Sequence, residues 1–161
     1  MYSQDLITIQ NSLASFSPQS KVWVYYSARS FAQNQEAILE QISQYTQNWS
    51  SHGSKVPAAG FLLNHNIILL IADTSLCEVS GCSTDSSVRF ITQLGKQYQL
   101  DFFDRTLVLL LIHNEIVVTN IQSLKNYPTD TLVFNPFFAN LQEWRRQFTQ
   151  SLKESKFERL L

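Results

Sequence analysis

Two pairs of apolar segments, each joined by a very short polar turn, constrain this chain more than anything else in it. Ala58 to Leu63 and Ile67 to Asp73 are separated by Asn64-His65-Asn66, and Thr106 to Ile112 and Glu115 to Asn120 meet at His113-Asn114. Short turns of Asn and His between β-branched and aliphatic runs signal antiparallel hairpins. Antiparallel hairpins alternating with helical stripes predict an α+β fold.

The stripes are present. Leu6, Ile9 and Leu13 fall at helical spacing, and Ser17-Pro18 ends that opening helix. Lys21 to Tyr26 reads Lys-Val-Trp-Val-Tyr-Tyr, a strand composition. Phe31, Ile38, Ile42, Tyr45 and Trp49 then form one apolar face of a long helix capped at Ser30, with Gly53 as its left-handed terminator. A second helix starts near Ser83 or Thr84, turns Val88, Ile91 and Leu94 inward and ends near Gly95. Thr131 to Phe134 reads as a short edge strand, because Pro136 cannot donate to a ladder. The last helix starts near Asn140 and carries Leu141, Trp144, Phe148 and Leu152 on one stripe.

This order predicts an antiparallel sheet with helices packed on it: a ferredoxin-like βαββαβ core plus an extra strand and terminal helices, in a single domain over residues 1–161. The runs 61–63, 67–72 and 107–112 are almost continuously apolar, so the second sheet face needs cover as well. A terminal helix or a second subunit would supply it, and a homodimer or a protein partner is expected.

Composition removes several functions. Charged residues are 16% of the chain, below the ~25% usual for soluble domains, and the net charge is −1, so nothing draws the molecule to nucleic acid or anionic lipid. No apolar run is long enough for a membrane helix, and no signal peptide is evident at the N-terminus. With two cysteines, Cys77 and Cys82, neither a disulfide framework nor a zinc site can be read, and a cytoplasmic location is expected. No cofactor is implied.

The chemistry that remains concentrates in Ser80-Gly81-Cys82-Ser83-Thr84-Asp85-Ser86-Ser87, where a loop gives way to a helix. Unpaired amides and the partial positive charge at a helix start favour thiolates and small anions. The expected topology brings His52, Asp73, Cys77, Cys82 and Asp85 to one pole of the sheet. A thiol centre there would use Cys82 as nucleophile, His52 as base and Asp85 as orienting group or cap. A small anion would instead sit on Ser80, Gly81, Ser83 and Thr84. The simpler reading of the same residues is a capped helix with a buried cysteine. A metal site from His52, Asp73 and Asp85 lacks any ligand spacing, so none is expected.

The opposite pole should collect Arg29, His65, Asp101, Asp104 and Arg105, with an internal Asp–Arg pair steadying the loop Asp101-Phe102-Phe103-Asp104-Arg105. Phe102, Phe103, Phe134, Phe137 and Phe138, with Tyr127 and Trp144, are an aromatic surplus. Half or more should be core, and any exposed remainder would mark a partner site.

Trp49-Ser50-Ser51-His52-Gly53, the string from Ser80 to Val88, and Asp101 to Arg105 together resemble a family of small uncharacterised Bacteroidetes proteins, over most of residues 20–120. Members often carry the label ABC transporter ATPase. The resemblance implies a cytosolic bacterial protein with the W-x-x-H-G and S-G-C-S-x-D strings as its focus. Asp73-Thr74-Ser75 departs from the acidic residue usual after that aspartate, which removes a carboxylate pair. The ATPase label does not carry over. Hydrolysis of that class needs a phosphate loop ending in Gly-Lys-Ser/Thr, and with 4 glycines and no such string this chain has none. A non-catalytic binding domain is therefore the leading expectation, and a thiol-dependent enzyme or anion binder the alternative.

Overall fold

In a computed structural model the described residues are 2–51, 53–73, 75 and 81–161; at 2–4, 51 and 81–84 the description covers the backbone alone. The elements are α1 (Tyr2–Ser12), β1 (Lys21–Tyr26), α2 (Gln35–Asn48), β2 (Ser50–Ser51), β3 (Ser54–Lys55), β4 (Ala58–Leu63), β5 (Ile67–Ala72), α3 (Gly81–Tyr98), β6 (Leu107–Ile112), β7 (Glu115–Asn120), β8 (Leu132–Phe134), α4 (Leu141–Gln147) and β9 (Thr149–Ser151), with short 3-10 turns between them. The class is α+β, with helices packed on antiparallel sheet.

β5 lies between β1 and β4, antiparallel to both, with Trp23 opposite Leu70 and Gly60 opposite Leu70 on the other side. That is the order a split β-α-β unit requires, with α2 as the crossover. The strand expected to close a ferredoxin-like sheet beside β1 goes elsewhere. β6 instead heads a four-stranded sheet in the order β7-β6-β8-β9. β1 is thus left as an edge of its own sheet.

The two sheets account for the apolar runs. One face of the first sheet, with Tyr25, Ile68 and Leu70, packs on Ile38 and Ile42 of α2 and Ile91 and Leu94 of α3. Its other face, with Val22, Tyr26, Leu69 and Ile71, meets Leu109 and Phe134 of the second sheet together with Ile9 and Leu13 of α1 and Trp144 of α4. The far side of the second sheet is covered by Leu124, Leu152 and neighbours in the 3-10 turns. Of the two expected sources of cover, the terminal helices α1 and α4 supply part of it, and the second sheet supplies the rest. Among the described residues no helix is long and apolar enough to cross a membrane.

Local chemistry explains the ends. In the two-residue loop between β6 and β7, His113 and Asn114 both have positive φ, 50° and 64°, as a type I′ turn demands. Asn140 accepts the Glu143 amide at 2.9 Å while Glu143 accepts the Ala139 amide at 2.6 Å, a reciprocal cap that starts α4 where the sequence placed it.

Other ends differ from expectation. Ser30 accepts the Ala32 amide at 3.3 Å, in front of a 3-10 turn rather than α2 itself. α2 stops at Asn48, and Gly53, with φ +80°, serves the turn between β2 and β3 instead of a helix end. Gly95 is interior to α3, and a Cβ there would stand 2.6 Å from the Leu100 carbonyl oxygen, so the bare backbone lets the following turn fold back on the helix. β8 is not an edge strand, because β9 pairs along its outer side. The expected last helix breaks after Gln147 to supply that strand, which takes Leu152 off its stripe.

Candidate functional site

The pole chosen from sequence lies where α2 ends and α3 begins. α3 packs against β2, and Ser50 and Ser86 line one shallow cleft of about 400 Å³ between the helices. Tyr45 builds that cleft. Its ring stacks on Phe90 at 4.2 Å, touches Trp49 at 5.1 Å, and its hydroxyl donates to Ser86 Oγ at 3.2 Å. Burial pushes the Tyr45 phenol above its ordinary range, and the Ser86 hydroxyl offsets only part of this.

His52 and Ser80 lie outside the described residues, as does Cys77, and so do the side chains of Gly81's neighbours Cys82, Ser83 and Thr84. The backbone from Gly81 onward is helical, so Cys82 falls in the first turn of α3, two residues before the expected start. Asp85 is exposed, and its carbonyl accepts from Arg89 Nε at 3.4 Å. Asp73 is occupied elsewhere. Its carboxylate accepts the Ser75 amide at 2.9 Å and the Ser17 amide at 3.2 Å, tying the end of β5 to the turn before β1. Partial burial raises its carboxyl, but the Ser75 and Ser17 bonds outweigh that and hold it below the usual range. Among the described residues no group of three His, Cys, Asp or Glu is placed to hold a metal.

The opposite pole carries the larger feature. A hollow of about 650 Å³ opens at the seam between the sheets, beside the edge of β1 that no described strand pairs. Val24, Tyr25 and Tyr26 form its floor. Phe102 to Arg105 and Leu107 form one wall, and Ile121, Pro136, Phe137 and Phe157 form the other. That volume sits within the ~300–1,000 Å³ of ordinary ligand pockets, and an aromatic lining with few polar groups is their usual character.

The loop from Asp101 to Thr106 sets the wall. Asp101 accepts the Phe103 amide at 2.8 Å, and one oxygen of Asp104 accepts both the Thr106 amide at 2.8 Å and the Thr106 hydroxyl at 2.7 Å. These bonds hold the Asp104 carboxyl below its usual range. Both aspartates are thereby turned onto their own backbone. The expected Asp–Arg pair does not form, and Arg105 is exposed with no acidic partner among the described residues. Phe103 is held edge-on to Tyr25 at 5.9 Å, and Lys156 Nζ lies 5.2 Å over the Phe137 ring.

The aromatic surplus divides as its surroundings dictate. Phe102, Phe134 and Trp144 are buried, whereas Phe103 is 46% and Phe137 66% exposed, both beside the hollow. Val24, Tyr25 and Phe157 were not singled out in the sequence. Nothing local marks them, because only the meeting of two sheets brings them together.

β1 adds polar groups to this apolar floor. In an antiparallel ladder, alternate residues point their amide and carbonyl at the partner strand. The Ser27 amide donates to Asn66 at 2.8 Å, so by alternation Tyr25 and Trp23 also face β5 and Val24 faces away. The amide and carbonyl of Val24 therefore point away from β5, on the side of β1 that no described strand pairs, and Val24 itself lines the hollow. Both ends of this edge are closed. Ser20 accepts the Leu141 amide at 2.8 Å, and the Tyr26 hydroxyl donates to the Asn135 carbonyl at 2.8 Å. No family model, curated protein or solved structure matches the chain.

Proposed function

We propose that this protein is a non-catalytic binding domain of the cytoplasm and that the hollow beside β1 is its binding site. One observation carries the reading: among the described residues, the exposed rings of Phe103 and Phe137, an arginine with no partner and a strand edge that no other strand pairs converge on a single concavity. The likeness to small Bacteroidetes proteins belongs to the proposal and adds no activity to it.

The test is nuclear magnetic resonance of labelled protein titrated with a neutral aromatic alcohol, 2-naphthylmethanol. Backbone signals of Val24, Phe103 and Phe137 are expected to move together and saturate. Movement confined to the Tyr45–Ser86 cleft, or none anywhere, overturns the reading.

A second reading rests on the start of α3 at Gly81, which puts Cys82 where helix amides are unpaired. In it, Cys82 is a thiol nucleophile served by His52 and Asp85, or Ser80, Gly81, Ser83 and Thr84 hold a small anion. Labelling of Cys82 by iodoacetamide across pH decides the thiol form. A midpoint well below ~8.5 supports a nucleophile, and an ordinary midpoint removes it.

A further inference from the structure

We infer that the ligand of this hollow is an aromatic monocarboxylate: a flat ring body seated among Phe103, Phe137 and Phe157, with its acid group paired to Arg105. This rests on the hollow being the binding site. It adds the charge and the shape of what enters.

Charge is argued first. The chain as a whole is slightly acidic, with net charge −1, and the lining of the hollow holds two charged groups, Arg105 and Asp104. Arg105 has no partner among the described residues, and Lys156, outside the lining, lies over the Phe137 ring. The one carboxylate on the wall, Asp104, already accepts two bonds from Thr106 through a single oxygen. The Asp104 carboxylate is thus turned onto its own loop, and the Arg105 guanidinium beside it is left to the acid group of a ligand. A guanidinium presents a planar fork that matches a carboxylate, and such charge-assisted bonds are the strong ones.

Shape follows from the lining. Aromatic rings favour offset or edge-on ring partners, and Phe103 and Phe137 are the exposed phenylalanines among the described residues. The Val24 amide and carbonyl supply one donor and one acceptor on the floor, enough for a single polar linker in the ligand. A long peptide strand fits less well. The β1 edge is covered near Ser20 by the start of α4 and bounded near Tyr26 by Asn135. The opening is thus a pocket about 650 Å³ in volume rather than a groove running through.

The test compares 2-naphthoate with its neutral counterpart 2-naphthamide by calorimetry and by nuclear magnetic resonance, on the unaltered protein, Arg105→Gln and Lys156→Gln. Arg105 and Lys156 are exposed, so both variants are expected to fold. The acid is expected to bind about tenfold tighter than the amide, a factor typical of one charge-assisted pair. Arg105→Gln is expected to erase that advantage while leaving the amide unchanged, and Lys156→Gln to reduce it by less. If acid and amide bind equally and Arg105→Gln alters neither, the inference is overturned while the hollow stands as a site. If neither probe moves Val24, Phe103 or Phe137, the site falls with it. If light scattering shows a dimer and those signals are already protected in free protein, the occupant is a second copy, which also overturns the inference.

Discussion

Trp144→Ala is expected to destabilise the protein by about 3–5 kcal/mol, the range for deleting a buried aromatic side chain, measured by denaturant unfolding. Trp144 is fully buried and sits where both sheets, α1 and α4 meet, 5.3 Å from the Phe148 ring and clustered with Ile9, Leu13 and Leu109. Short as it is, α4 is fixed from both sides. Its first amide bonds Ser20, its second bonds Pro18, and Arg145 Nη2 donates to the Leu13 carbonyl at 2.8 Å. Neighbours so restrained cannot collapse into the vacated space, so the cost should lie near the top of the range. The indole Nε1–H has no partner among the described residues. Trp144→Phe therefore loses volume but no hydrogen bond, and about 1–2 kcal/mol is expected. Equal losses from Phe and Ala would show that the indole nitrogen, not the packing, matters.

Gly60→Ala is the second large effect, and it acts by overfilling. Gly60 is at the middle of β4, and a Cβ there would run into Ile42 Cγ2 of α2, with Leu70 Cδ2 at 3.1 Å and Thr46 Cγ2 at 3.4 Å. The helix lies on the sheet only because this side chain is missing. Forcing a methyl between them is expected to cost about 1–3 kcal/mol. Ile42→Ala should cost about 2–5 kcal/mol through the cavity it leaves. Each change supplies what the other lacks, so the double variant should be more stable than the sum by about 1 kcal/mol. Strict additivity would mean that α2 and β4 do not meet at Gly60.

Where the chain's own periodicity decides structure, reading it sufficed. β1, β4 and β6 are largely apolar or aromatic runs and β7 has an Ile-Val-Val centre, all bounded by turn residues, and each is found within a residue of where the pattern places it. The missing information was tertiary. A run such as Leu107–Ile112 is buried on both faces whether it is the centre of one sheet or of a second, so periodicity cannot tell the two apart. β9 was hidden for another reason: Leu141, Trp144, Phe148 and Leu152 keep helical spacing, yet the chain extends after Phe148 because β8 lacks a partner on that side. The site followed the same division. Phe103 and Phe137 are legible as rings in excess of need, Arg105 was read as paired within its loop, and Val24 and Phe157 join them only through the seam.

Both long hairpins reverse without glycine. Asn64, His65, His113 and Asn114 all hold left-handed backbone, a conformation that costs an L-residue roughly 1 kcal/mol. The molecule consequently carries unused thermal headroom in its tightest bends. An engineer seeking a hardier scaffold would begin at His65 and His113, where glycine or asparagine relieves torsional cost without touching either interior.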